Sequence, residues 1–316
     1  MKYFIVSILI IISLFSCDPG EIPIDNNNIG SMITNTIEMK EDYRFQIYYD
    51  LSTNEVVNQN LITDWDIYIN FENNNIITNS SKFMQSWKIS DQTFDFVPDL
   101  DNAEWSLDRV NSNNTDNSIN EITFDGFYII DLGYDYNNNK LDYIKFKVIE
   151  FDISSYTIKY ASINNEFDTT VVIDRNVSNI KVFYSFTEHN IKNLSPDDIS
   201  WDLLFTKYTH MFEDGTPYLV SGVLINYNTI EVSIDSVNNF NDIQYIDIID
   251  YDFSNMQDII GYNWKTYLFS SSSYIINQNK NYIIRDQEDR VFKLRFTDFY
   301  NNNGQKGYPS FELQEL

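Results

Sequence analysis

Apolar residues recur at every second position through most of this chain, the signature of β-strands with one buried face. In Tyr143–Phe151 (YIKFKVIEF), Ile144, Phe146 and Val148 share a face, and Lys145 and Lys147 point away from it. Residues 291–299 (VFKLRFTDF) repeat the layout, with Phe292, Leu294 and Phe296 inward and Lys293 and Arg295 outward. The stretch 201–226 reads as two strands joined at Asp214-Gly215-Thr216-Pro217. Turns are written mostly with Asn: 73–75, 137–139 and 301–303 each flank a strand-like run, and Asn tolerates positive φ and caps its own turn. A helical period is scarce, with room for a turn or two only over 254–260. The expected fold is all-β and mostly antiparallel, with few or short helices.

The pattern also repeats at long range. Lys145, Lys147, Glu150 and Phe151 map onto Lys293, Arg295, Asp298 and Phe299, each 148 residues further on. Residues 127–130 mirror 281–284, residues 47–51 mirror 182–186, and the pair Trp65-Asp66 mirrors Trp201-Asp202. Landmarks in one order imply a duplication, with one β unit over 42–162 and a second over 176–316. No Pro/Gly/Ser-rich linker marks the junction at 164–179, where 169–173 itself reads as a strand. The two units are therefore expected to share an interface. Trp65 and Trp201 read as core anchors or, alternatively, as ligand-stacking rings, and Asp66 and Asp202 as turn caps.

The N-terminus bears on compartment. Residues 1–16 carry one Lys followed by an apolar run, the layout of a secretory signal peptide and too short for a spanning helix. Leu14-Phe15-Ser16-Cys17 has the form of a lipobox, and so resembles bacterial lipoproteins, in which the Cys carries the acyl chains. Cys17 is the expected lipid attachment site, and 17–41 the lipidated tether. It is also the sole cysteine, so disulfides within the chain and thiol-based sites are excluded.

A net charge of −26 argues against nucleic acid, which demands clustered Lys and Arg. An apolar share of 43% is ample for a folded core. The residues offer little to catalysis, and no enzyme is expected. A Gly-x-Ser-x-Gly elbow and phosphate-binding Gly loops are missing. Two histidines, His189 and His210, without cysteine make a poor zinc set. Asp135 opens like a calcium loop, but Lys140 and Phe146 stand where Gly and Glu are required. His210 beside Met211 has donor types suited to a haem iron, or is plain surface. Met256 is a further soft candidate, or core filler.

Residues 201–209 (WDLLFTKYT), 221–226 (SGVLIN), 259–267 (IIGYNWKTY) and above all 281–316 resemble the HmuY family of Bacteroidota surface lipoproteins. In the last segment Lys293, Phe296, Phe299-Tyr300, Gly304, Lys306-Gly307-Tyr308 and Phe311-Glu312 stand where the family has them. Residues 42–162 resemble it more loosely, through DWDIYINF and YIKFKVIEF. The resemblance implies a lipid-anchored outer-membrane protein at the cell surface that binds haem and passes it to an outer-membrane receptor in iron acquisition. It also implies a departure. Members with paired haem-ligating histidines carry them between the SGVLIN-like and YIIRD-like segments, and residues 227–281 here contain no His. Met256, Met211 and His210 remain as ligand candidates. The alternative is a non-catalytic surface binding or structural lipoprotein that has lost haem ligation.

Overall fold

The computed structural model describes residues 30–110, 117–119, 125–175, 180–194, 196, 197 and 199–316. The expected signal peptide, Cys17 and the first part of the tether lie outside the described residues. Those described form twenty strands, β1 to β20 in chain order, in antiparallel sheets, with a few 3-10 turns such as Ser80–Lys82 and Tyr245–Asp250. The expected all-β class is what the chain adopts. No turn of helix forms over 254–260, which instead runs along a strand edge.

Two bodies share one layout, each a five-stranded sheet facing a four-stranded sheet. In the first, β6 (Gln85–Ile89), β7 (Phe127–Asp131), β8 (Tyr143–Phe151), β9 (Ser155–Ser162) and β10 (Asp168–Asp174) pair in sequence order. The facing sheet has the order β12 (Asn190–Lys192), β11 (Lys181–Ser185), β4 (Ile67–Asn70), β5 (Asn75–Thr78). Ile67, Ile69, Ile130, Phe146, Ile158 and Tyr184 meet between the two. The second body has β15 (Ile230–Asp235), β18 (Asn281–Asp286), β19 (Val291–Tyr300), β20 (Lys306–Glu315) and β1 (Ile33–Thr36). Opposite lie β14 (Pro217–Ile225), β13 (Leu203–Met211), β2 (Phe45–Asp50) and β3 (Glu55–Leu61). Ile47, Tyr49, Phe205, Val223, Leu294 and Phe311 fill that core. A short hairpin, β16 (Lys265–Leu268) with β17 (Ser273–Ile276), stands beside it.

The bodies do not follow the order of the chain. The β2–β3 hairpin pairs with β13, whereas β11–β12 pairs with β4. Each stretch expected as a unit thus sends its leading hairpin to the other body. Likewise β1 lies inside the expected tether yet pairs with β20, and Ile37 and Met39 that follow it are buried.

Alternation explains which face each strand buries, but not which face reaches water. Lys145 and Lys293 do point away from their cores, as expected, yet both are buried. The Lys145 ammonium donates to the Phe94 carbonyl at 2.8 Å, and Lys293 donates to the Phe240 and Ile243 carbonyls at 2.9 Å each. In both places a connecting loop folds over the sheet, and its carbonyls supply the partners a buried ammonium needs. Of the expected Asn turns, 73–75 and 137–139 have positive φ at Asn74 and Asn138, whereas in the turn at 301–303 the positive φ falls on the following Gly304; Asn54 and Asn165 also have positive φ.

Candidate functional site

The Trp-Asp pairs sit where the bodies meet, and their surroundings match almost atom for atom. The Asp66 N–H donates to the Tyr184 carbonyl, and the Asp202 N–H to the Tyr49 carbonyl, both at 2.9 Å. The Asp66 carboxylate accepts the Phe186 N–H at 2.6 Å, and Asp202 accepts the Leu51 N–H at 2.9 Å. Asn79 donates its side-chain amide to the Trp65 carbonyl at 2.9 Å, as Asn226 does to Trp201 at 3.0 Å. Trp65 meets Phe183 edge-on at 5.0 Å, and Trp201 meets Tyr48 edge-on at 5.1 Å. Each aspartate therefore clasps the end of a hairpin that the other half of the sequence supplies.

Three residues beyond each Asn the symmetry breaks. Lys82 forms a salt bridge with Asp66, whereas Thr229 offers Asp202 only a hydroxyl, at 3.4 Å. Without a cation, burial pushes the Asp202 carboxyl up to about 6, against the pull of the Leu51 N–H and the Thr229 hydroxyl.

A cavity of about 620 Å³ opens between the outer faces of the two four-stranded sheets, within the usual range for small-molecule sites. Strand parity builds its walls. Tyr49, Leu203 and Phe205 turn into one core, so Tyr48 and Leu204 face outward; Val182 and Tyr184 turn into the other, so Phe183 faces outward. Trp65, Tyr68, Trp201 and Tyr227 complete an aromatic lining, and Arg109 and Lys181 are its cationic members. One end is polar. The Trp65 indole donates to Gln46 Oε1 at 2.7 Å, and Gln46 Nε2 donates to the Ser81 and Thr206 hydroxyls at 3.0 Å each. Asp108, fully buried, accepts the Ser118 N–H at 2.7 Å and both the N–H and hydroxyl of Thr78, while burial raises its carboxyl.

The three candidate iron ligands part company here. Met256 lines the cavity and is half exposed, in a loop pinned along β14 by the Ile225 N–H donating to the Gln257 carbonyl at 2.8 Å. Val223 and Gly261 exchange N–H···O bonds of 2.9 Å just beyond. His210 and Met211 both belong to β13, and neither lines the cavity. His210 Nδ1 lies 3.3 Å from the Asp258 carboxylate, with the Tyr262 ring centroid 4.9 Å away. Among the described residues no group of three or more His, Cys, Asp or Glu could hold a metal ion, and no helix is long and apolar enough to cross a membrane.

Tyr48, Phe183, Leu204 and Leu224 of the lining escaped the sequence reading. The matched runs 47–51 and 182–186 carried the signal, because parity already put Tyr48 and Phe183 on one shared face opposite the core.

The chain aligns with the crystal structure of an apo HmuY analogue from Tannerella forsythia, at 10% identity and a TM-score of 0.34, covering 91% of this chain and 98% of that one. It also aligns with apo PinO from Porphyromonas gingivitis, at 10% identity and a TM-score of 0.37, covering 90% and 97%. No protein of curated function matches it. The sequence profile of the HmuY protein family matches residues 42–313 as one stretch running through both expected units, and the chain belongs to the HmuY family.

Proposed function

We propose that this protein is a lipid-anchored surface lipoprotein, acylated at Cys17, that binds haem in the cavity between the two four-stranded sheets. The observation that carries the reading is Met256, a soft donor on the wall of a cavity that six aromatic rings help to line. The residues fit the group. Flat rings suit a planar macrocycle, Arg109 and Lys181 suit its carboxylates, and a Met thioether is an established axial ligand. Family membership supports haem capture at the outer membrane and transfer to a receptor there, and the repeated sheet layout supports two β units that arose by duplication.

The test is a haem titration of the chain from residue 18, which keeps all twenty strands. The expected result is a Soret shift in the native protein that is displaced or lost in Met256→Ala. No shift in the native protein rules the reading out. A second reading, a surface binding or structural lipoprotein without haem, draws on one fact: no His lines the cavity. An unchanged Soret band together with recovery of a specific membrane partner favours it.

A further inference from the structure

A second concavity has a different chemistry from the cavity between the four-stranded sheets. It is an open groove of about 1730 Å³ between the turn at 40–45, β14, the β16–β17 hairpin and the turn at 300–308. Lys40, Arg44, Lys207, Lys265 and Lys306 line it, against two acids, Glu41 and Asp42. The chain as a whole has 47 acids and 21 Lys and Arg, so this surface reverses the local sign of the molecule.

Partners account for three of the five cations. Arg44 is paired with Asp42, Lys40 with Glu38, and Lys265 donates to the Ser221 carbonyl at 2.6 Å while lying 4.3 Å from the Trp264 ring centroid. Lys207 is otherwise. It is only 7% exposed, it lines the groove, and its ammonium has no hydrogen bond or ion pair among the described residues. Burial lowers the Lys207 pKa, Asp42 and Asp135 oppose that shift, and the Lys306 charge adds a smaller lowering. Lys306 itself lies 5.2 Å from the Tyr43 ring centroid. Lys207 and Lys306 thus line one groove with no hydrogen-bonded or ion-paired partner among the described residues, and both are open to an anion.

The groove's size and rim narrow the occupant. It exceeds the ~300–1,000 Å³ of ordinary ligand pockets, so the partner is extended. Tyr136, Tyr218, Tyr262, Tyr267, Tyr300 and Tyr308 line it, presenting flat apolar faces edged with hydroxyls, a match for sugar rings. A nucleic acid strand carries a charge roughly every 3.4 Å, more densely than two unpaired ammoniums can match. A chain of acidic sugars spaces its charges more widely and offers hydroxyls between them. We propose that this groove binds an acidic oligosaccharide, with Lys207 and Lys306 gripping a sugar carboxylate and the tyrosines stacking on the rings.

Calorimetric titration of the chain from residue 18 with tetragalacturonic acid, maltotetraose and an eight-residue oligothymidylate tests this. Expected is binding of the acidic tetrasaccharide alone, weakened by salt and weakened about tenfold or more in Lys207→Met and in Lys306→Met, with the haem titration unchanged in both. No binding, equal binding of maltotetraose, tighter binding of the oligothymidylate, or full affinity in the lysine variants overturns it. Should Lys207→Met fail to fold, the half-exposed Lys306→Met carries the test. Haem binding reports on the other cavity, so either reading can fall without the other.

Discussion

Lys82 and Asp66 form a salt bridge in which the two side chains are 2% and 1% exposed. Asp66 also accepts the Phe186 N–H, so this pair ties the Ser80–Lys82 turn and β4 to the hairpin that follows β11. Removing one partner leaves a buried charge unopposed, which typically costs about 3–5 kcal/mol. Lys82→Met should therefore lower the unfolding free energy by about that amount in urea denaturation. Asp66→Asn added to Lys82→Met should recover part of it, because the remaining amide needs no counter-charge. Additive losses in the double variant would show that the pair is not coupled.

Asp202, at the matching position, gives the opposite dependence on pH from an ordinary paired acid. Its folded pKa is raised to about 6 by burial, above the ~3.9 of an unfolded Asp. The group's contribution is therefore full at low pH and is lost as pH rises through 6, amounting to about 1 kcal/mol between pH 5 and 7.5. Thermal melts of the native chain and of Asp202→Asn across that window should differ by this slope, the variant lacking it. Parallel profiles would assign the slope to other groups.

The clasp shows how far the sequence could be read. Trp65-Asp66 and Trp201-Asp202 stood out as a matched pair, and both do bury their rings and cap turns. Periodicity also sufficed for the fold class, since a period of two names the buried face of each strand. It could not say which strand neighbours which. The register that sends β2 to β13 and β11 to β4 is fixed by long-range pairing, and both hairpins have similar local sequences. Lys145 and Lys293 were legible as outward-facing, but the loops that bury them pack through carbonyls, which leave no trace in side-chain pattern. Met256 was legible as a soft donor only; its place on the cavity follows from the backbone pairing of its loop with β14.

That loop depends on a close approach of two backbones. A Cβ on Gly222 would lie 2.5 Å from the Gly261 carbonyl oxygen, so the segment carrying Met256 can dock on β14 only because residue 222 has no side chain. Gly222→Ala should push the segment outward, costing about 1–3 kcal/mol in a chemical denaturation curve. Under the haem reading it should also weaken the Soret response, because Met256 moves with the loop. An alanine variant with native stability would show that the segment adjusts freely.

The exchanged hairpins make a prediction about fragments. Residues 63–194 contain β4 to β12, and with them both sheets of the first body and its whole core, from Ile67 to Phe186. Residues 176–316, by contrast, lack β1 to β3. They leave β13 and β20 without a partner along one edge and remove Ile37, Met39, Ile47, Tyr49 and Leu51 from the core. Their own leading hairpin, β11–β12, has no β4 to join. The first fragment should therefore give a cooperative urea transition and a dispersed amide spectrum, while the second should give neither until a peptide covering 30–62 is added. Independent folding of 176–316 would mean that β11–β12 can take the place of β2–β3 against β13, as a duplicated pair of hairpins would permit, and that the exchange between bodies is a preference of the whole chain and not a requirement of its parts.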